Sequence, residues 1–347
     1  MSLSEQSLSK RVPSRRAART HRSGFPHRPV RASVESITRV SPTFARVVFV
    51  GPELDECGDP GATFDQRIKL IFPAERLAAD GSSVAERGEL PVLSHSADWY
   101  AEWLALPEST RGAMRTYSIR ELQVSPSGET RFIVDFVLHL EPGKSGPAAR
   151  WAGTAQPGDE LLIVAPVRGH ADSAGIEFRP GDAPEVVLVG DETAAPAIAR
   201  ILEDLPVTAR GIAWIEIPDR ADELPIAAPA DCEVRWVVRG HEDHGTALIP
   251  ELLAYLGERT ALKIEDVATE QLLWETPVYS GLGEDVAAAS GAAGTAEHAA
   301  GDQRYFWIAG ESGVVTTLRR HLVRELGISR SQVAFMGYWR RGVAMKG

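Results

Sequence analysis

The chain has 347 residues, 44% of them hydrophobic and 24% charged, with a net charge of −11. That composition builds a core and excludes a disordered or fibrous chain, and the length suggests two domains. The clearest apolar runs, Leu161–Ala165 and Val186–Val189, fall far short of the ~18 residues a membrane helix needs. Membrane insertion is therefore not expected. Two cysteines, Cys57 and Cys232, supply neither a disulfide framework nor a Cys-based metal or iron–sulfur cage, and a reducing, cytoplasmic setting fits them best.

Charge is uneven. The first 31 residues hold eight Lys/Arg against one acid, and the remainder holds 29 bases against 47 acids. An acidic body argues against nucleic acid as partner, because neutralising phosphates needs a positive field. Residues 1–28 read as a solvated basic tail without a fixed fold. They lack the apolar segment of a secretory signal, and their composition also allows a transit peptide.

In chain order, residues 29–180 read as a β domain. Strands are predicted at Val30–Thr38, Ala45–Val50, Arg67–Phe72, Met114–Ile119, Arg131–Leu138 and Glu160–Val164, rich in Val, Ile and Phe and separated by Gly/Pro turns. This pattern predicts an antiparallel barrel or sandwich. The connection over 74–112 carries weak signals, with a short helix predicted at Ser96–Leu104.

Residues 181–347 alternate strand and helix. Strands are predicted at Glu185–Val189, Ala209–Ile217, Val234–Val238, Tyr305–Ala309 and Gln332–Gly337. Helices are predicted at Glu192–Leu205, Thr246–Leu256 (with Thr246 as N-cap) and Ser312–Leu326. This alternation predicts a parallel sheet covered by helices. Residues 287–303, small and of low complexity, read as a surface insertion. The expected fold class is thus β + α/β, with chemistry in the cleft between the halves.

Three constellations stand out. In MRTYSIR, strand alternation puts Arg115 and Tyr117 on one face and Thr116 and Ser118 on the other. Arg115 can pair a phosphate through its fork of donors, Tyr117 can stack on a flat heterocycle, and the Ser118 hydroxyl can bond a ring nitrogen. The same pattern also suits an ordinary amphipathic strand. The second constellation, Gly190-Asp191-Glu192-Thr193-Ala194, follows the first α/β strand, where a dinucleotide-binding turn carries G-x-G-x-x-G; here a single glycine precedes two acids. Plain helix capping explains those acids equally well. The third is Ala309-Gly310-Glu311-Ser312 at a later strand–helix turn, together with Tyr338-Trp339-Arg340-Arg341-Gly342 past the last strand. His241-Glu242-Asp243-His244 lacks metalloprotease spacing and reads as a solvated loop, so no metal site is expected.

These residues, with DQRIKLIFP (65–73), DFVLH (135–139), GPAARWA (146–152), PGDELLIVAPVRG (157–169), VGDETAAPAIARIL (189–202), ETPVYSGLGED (275–285), FWIAGESGVVTTLRRHLV (306–323) and GYWRRG (337–342), resemble the siderophore-interacting proteins, a branch of the ferredoxin reductase-like superfamily. The resemblance spans about residues 29–342. It implies an N-terminal FAD-binding barrel, a Rossmann-like NAD(P)H-binding domain, and reduction of ferric siderophores. It further implies that Arg115 meets the FAD pyrophosphate, Tyr117 stacks on the flavin with Thr116 alongside, and Ser118 lies near N5. Asp135, Val137 and His139 are expected along the ribityl and adenosine side; considered alone, His139 reads as a structural histidine. Gly146, Ala148, Ala149 and Trp151 are expected at the pyrophosphate. Ala149 stands where Ser is frequent, which loses one hydroxyl. Asp191, Thr193, Ala194, Gly310, Glu311, Trp339 and Arg340 are expected near the cofactors.

Lys69, Arg150 and Arg341 are candidates to attract an anionic ferric siderophore. No side chain is assigned an acid–base role, since flavin itself links hydride to single electrons. The donor is expected to be NADPH or NADH. Glu216, Asp219 and Arg220 give mixed signals for the 2′ position, and the family also allows ferredoxin. A monomer is expected. A siderophore- or flavin-binding carrier without reductase activity, or a general flavin/ferric reductase, are the alternatives.

Overall fold

The computed structural model describes residues 26–76, 86–139, 145–170, 175–264, 273–276, 279–280 and 303–342. Most of the basic tail and of the 287–303 segment lie outside these residues. Among them, no helix is long and apolar enough to cross a membrane.

The first sheet comprises β1 (His27–Arg39), β2 (Phe44–Val50), β3 (Arg67–Phe72), β6 (Ala113–Ser118), β7 (Glu121–Val124), β8 (Thr130–Val137) and β9 (Glu160–Pro166). A small hairpin of β4 (Glu75–Arg76) and β5 (Glu86–Arg87) stands apart. The order is β6-β3-β9-β1-β2-β8-β7, antiparallel throughout. Its two edges, β6 and β7, are separated only by Ile119 and Arg120. The Ile119 amide donates to Gln66 on one side (2.9 Å) and the Arg120 amide to Ile133 on the other (2.9 Å). The chain thereby steps from edge to edge and closes the barrel that the strand spacing predicts. Inside lie Val30, Val47, Phe49, Leu70, Phe72, Phe132, Phe136 and Ile163. Helix α3 (Pro147–Thr154) inserts Trp151 into this core, stacked on Phe49 and packed on Phe72 and Phe136. Helices α1 (Trp99–Ala105) and α2 (Glu108–Arg111) lie in the preceding connection, and α1 packs Trp103 with Ile71 and Met114.

The second sheet runs β12-β11-β10-β15-β16-β13-β14. Its parallel part comprises β10 (Val186–Gly190), β11 (Arg210–Ile217), β12 (Asp231–Val238), β15 (Tyr305–Glu311) and β16 (Val333–Trp339). The short antiparallel β13 (Trp274–Thr276) and β14 (Tyr279–Ser280) extend one edge. Helix α4 (Ala195–Asp204) covers one face; α5 (Leu248–Tyr255) and α6 (Ser312–Arg319, continued as a π-helical stretch Arg320–Glu325) cover the other. Strand order reverses between β10 and β15, the place where a doubly wound sheet opens a crevice. Phe44 of the barrel is buried among α4 side chains, which seats the barrel on that face.

Two predicted helix starts move, for physical reasons. Helix α4 begins at Ala195 rather than Glu192, because Asp191 holds the amides of Thr193, Ala194 and Ala195 in a turn. Helix α5 begins at Leu248, and Thr246 is exposed and is not its cap. The Glu216 carboxylate of β11 takes the Gly245 and Leu248 amides instead.

Candidate functional site

On the barrel side the site is built from β6, β8 and α3. Arg115 and Tyr117 lie opposite Leu70 and Ile68 across the β3–β6 ladder, on the core-facing side. Tyr117 packs on Phe136 at 4.6 Å, above the aromatic floor formed with Trp151. Burial pushes its hydroxyl well above the usual tyrosine range. Arg115 is half-buried and its guanidinium donates to the Met114 carbonyl (2.6 Å). It has no carboxylate partner among the described residues. Desolvation lowers its pKa, and the positive charge of Arg150 adds to that. Helix α3 starts at Pro147 with Gly146 at the N-cap, and no side chain among the described residues caps it. Its first turn therefore presents unpartnered N–H dipoles, with the buried Ala148 and Ala149 close by.

The sheet side is built from the turns after β10, β15 and β16. Asp191 is buried. One oxygen accepts from the Thr193 amide (2.9 Å) and hydroxyl (2.5 Å), the other from the Glu311 amide (2.7 Å) and Trp339 Nε1 (2.9 Å). Burial raises its pKa, with neighbouring Glu192 contributing. One carboxylate thus ties three strand ends together. Gly310, at φ +140°, allows it: a Cβ there would lie 2.6 Å from Asp191 Oδ2. Gly190 is equally constrained, since a Cβ would lie 2.4 Å from that of Ala194. Glu311 caps α6 through the Gly313 and Val314 amides (2.6 and 3.1 Å).

His139, just past β8, links the two sides through Glu192 (3.1 Å). Glu192 is fully buried and also accepts from His244 (3.2 Å) and twice from Arg239 (3.0 and 3.1 Å). Burial would raise its pKa, but the His139, His244 and Arg239 hydrogen bonds hold it well below the usual carboxylate range. The ring of Trp339 meets His244 edge-on at 4.7 Å. His244 and Arg239 were not expected at the site, whereas Glu192 was named within the turn after β10 and Glu216 as a possible ribose contact. His244 is half-buried here, so the reading of 241–244 as a solvated loop does not extend to it. No single local motif marks the cluster, because the β10–α4 turn, the end of β11 and the β12–α5 connection bring it together.

Other predicted residues stand elsewhere. The Asp135 carboxylate is committed to a bidentate pair with Arg46 (2.7 Å each) and approaches Arg120 (3.8 Å). Val137 packs against the α4-side core, and Trp151 is barrel core, 5% exposed. Thr116 and Lys69 are paired across the ladder on the face away from Arg115, and Ser118 pairs with Arg67. Arg150 forms a bidentate pair with Glu75 (3.0 and 2.7 Å), and Arg341 pairs with Asp243. Arg340 follows Trp339 and is half-buried. Glu216 is buried under Arg239 and the α5 amides, so it is not open to a ribose. Asp219 caps a turn at Ala221, and Arg220 pairs with Glu223.

Residues 183–342 match the siderophore-interacting protein family profile, and 33–171 match the siderophore-interacting FAD-binding domain. An uncharacterised protein of Mycobacterium tuberculosis strain H37Rv is 31% identical over 319 residues, 91% of this chain and 92% of that one. The ferric vibriobactin reductase ViuB of Vibrio cholerae serotype O1 is 26% identical over 303 residues, 87% of this chain and 86% of its own length. Among solved structures, a siderophore utilization protein from T. fusca superposes with a TM-score of 0.62 at 26% identity, covering 93% of this chain and 97% of that one.

Proposed function

Because the chain belongs to the siderophore-interacting protein family, we propose that it is a FAD-dependent reductase that passes electrons from a reduced nicotinamide to ferric iron held by a siderophore. The observation that carries the reading is Arg115, half-buried and without a carboxylate partner among the described residues, on a strand that packs against α3, whose start no described side chain caps, and on the same strand face as Tyr117. A guanidinium and helix-terminal amides suit a diphosphate, and an aromatic ring set on an aromatic floor suits a flat heterocycle. The donor set therefore fits FAD.

In this reading Arg115 and the amides near Ala148 and Ala149 hold the diphosphate, and Tyr117 holds the ring plane. When bound, FAD supplies the conversion of one hydride into two single electrons. Overall, one dihydronicotinamide becomes a pyridinium, two ferric ions become ferrous, and one proton is released. The chain's part is to bind and orient. Phe136 and Trp151 keep the Tyr117 ring in place and exclude water beneath it. Glu192, bonded to His139 of the barrel, fixes the opposing wall. Ferrous iron binds hard oxygen chelators less tightly and leaves.

The test is spectroscopic. Purified protein shows flavin absorption bands that bleach anaerobically with NADPH or NADH and return with a ferric siderophore, while a ferrous trap registers two irons per nicotinamide. Folded protein that takes up no added FAD defeats the proposal. Yellow protein indifferent to both nicotinamides and to ferric siderophore supports binding without reduction.

A further inference from the structure

We propose that the crevice at the end of the parallel sheet turns away the diphosphate of a dinucleotide, so that the donor is selected through its dihydronicotinamide ring, with Asp191 and Glu311 as specificity-determining residues. This rests on the reading above and adds which part of the donor is recognised.

A doubly wound sheet normally receives nucleotide phosphates on free amides of the strand–helix turns flanking the order reversal. Here most of those amides are taken by the chain itself. After β10, the Thr193 amide goes to the Asp191 carboxylate, and the Ala194 and Ala195 amides go to the Asp191 carbonyl (3.0 and 3.1 Å). Pro196 has no N–H. After β15, the Glu311 amide goes to Asp191, and the Gly313 and Val314 amides go to Glu311. The acid at the end of β11, Glu216, is spent on the Gly245 amide and on the first amide of α5, Leu248. A phosphate would have to displace carboxylates tethered a few atoms from their donors.

Charge points the same way. Asp191, Glu192, Glu216 and Glu311 are all buried, and Arg239 pairs with Glu192 and Glu216, with His139 and His244 also on Glu192. An incoming dianion meets like charge at low dielectric, whereas an uncharged ring does not. What the crevice offers such a ring is the Trp339 indole, half-buried and fixed by its N–H on Asp191 and by His244.

The experiment compares NADPH and NADH with dihydronicotinamide riboside, which lacks the diphosphate, as donors to the FAD-loaded protein. Oxidised holoprotein is titrated separately with NADP+ by calorimetry. The expected result is a kcat/KM for the riboside at least equal to that for either dinucleotide, and no saturable NADP+ binding below about 1 mM. Glu311→Gln keeps an oxygen to cap α6 while removing the charge. It is expected to raise the dinucleotide-to-riboside ratio about tenfold, the scale of one charge–charge contact in a half-screened site, and to tighten NADP+ binding. A wild-type protein that prefers a dinucleotide more than tenfold, with a ratio and NADP+ affinity unmoved by Glu311→Gln, overturns the inference. If no nicotinamide reduces the bound flavin, the reductase reading fails instead, and the NADP+ titration of wild type against variant decides this inference alone.

Discussion

Asp65 offers a quantitative test of how the two halves are joined. It precedes β3, is fully buried, and accepts from the Glu177 amide (3.1 Å), the Phe178 amide (3.0 Å) and Trp307 Nε1 (2.9 Å). Burial pushes its pKa from 3.8 to about 6, against the lowering effect of those hydrogen bonds. At 1.36 kcal/mol per pH unit, a rise of about 2 units corresponds to about 3 kcal/mol. The folded pKa lies above the unfolded one, so the folded state holds the extra proton between about pH 4 and 6. This group's contribution to stability is therefore most favourable below pH 4, falls as pH rises through the window, and is flat above 6. Against a net stability of about 5–15 kcal/mol, the effect is measurable. Urea unfolding of the wild type and of Asp65→Asn from pH 4 to 7.5 isolates it, because other titrating groups cancel in the difference. The wild-type-minus-variant stability is expected to drop by about 3 kcal/mol across the window. The amide alters the level, since it sets a second donor against the Trp307 N–H, but it carries no titration of its own. A flat difference, or one that rises with pH, refutes the assignment of a desolvated carboxylate at this seam.

Arg115→Ala is expected to weaken FAD binding about 10- to 100-fold, the range for a charge-assisted contact, by titration of apoprotein with FAD; Arg115→Lys loses less. Trp151→Ala removes the centre of the barrel's aromatic cluster and is expected to cost about 3–5 kcal/mol in urea unfolding. Gly310→Ala drives a methyl into Asp191 and is expected to lower Tm by several degrees and to change Trp339 fluorescence, since that indole loses its carboxylate partner.

Most elements were legible because their patterns are set by one period each. β1, β2, β3, β6, β8 and β9 alternate or run apolar around the barrel core, and the central parallel strands β10 and β15 are short apolar blocks. β7 was missed because Glu121 and Gln123 alternate with only Leu122 and Val124, and β13 because three residues, Trp274–Thr276, carry no period. The barrel half of the site was legible because Arg115 and Tyr117 sit two apart on one strand. The sheet half was legible only in part: Asp191, Thr193, Glu311 and Trp339 meet as their turns suggest, but the cluster behind them was not foreseen. Glu192 meets Arg239 and His244 only after the β10–α4 turn and the β12–α5 connection converge, and nothing local to Glu192 announces the other two. Asp135 shows the same limit within the barrel. Its carboxylate is spent on Arg46 of the neighbouring strand, a partner 89 positions away that register alone supplies.

The seam between the halves explains why the sheet-side carboxylates can sit so close to one another. Asp222 of the α/β half takes the Ser41 hydroxyl (2.6 Å) and the Thr43 amide (2.8 Å) of the barrel. Asp204 takes the Thr63 and Phe64 amides (2.7 and 2.9 Å), and Glu203 holds Arg120 in a bidentate pair (2.6 Å each). These cross-seam bonds would be lost if the halves separated, at about 1–3 kcal/mol for each buried group left unpaired; among the described residues Asp204 and Glu203 would keep only Arg200 of α4, and Phe44 would leave the α4 core. The interface is therefore costly to open. With the barrel held in place, His139 stays against Glu192, and Glu192 keeps a donor from each half. A mobile interface would leave that buried carboxylate with Arg239 and His244 alone. The cleft's charge arrangement is thus a consequence of the docking: acids that would repel one another in an open crevice are held together by donors that the barrel and the sheet supply jointly.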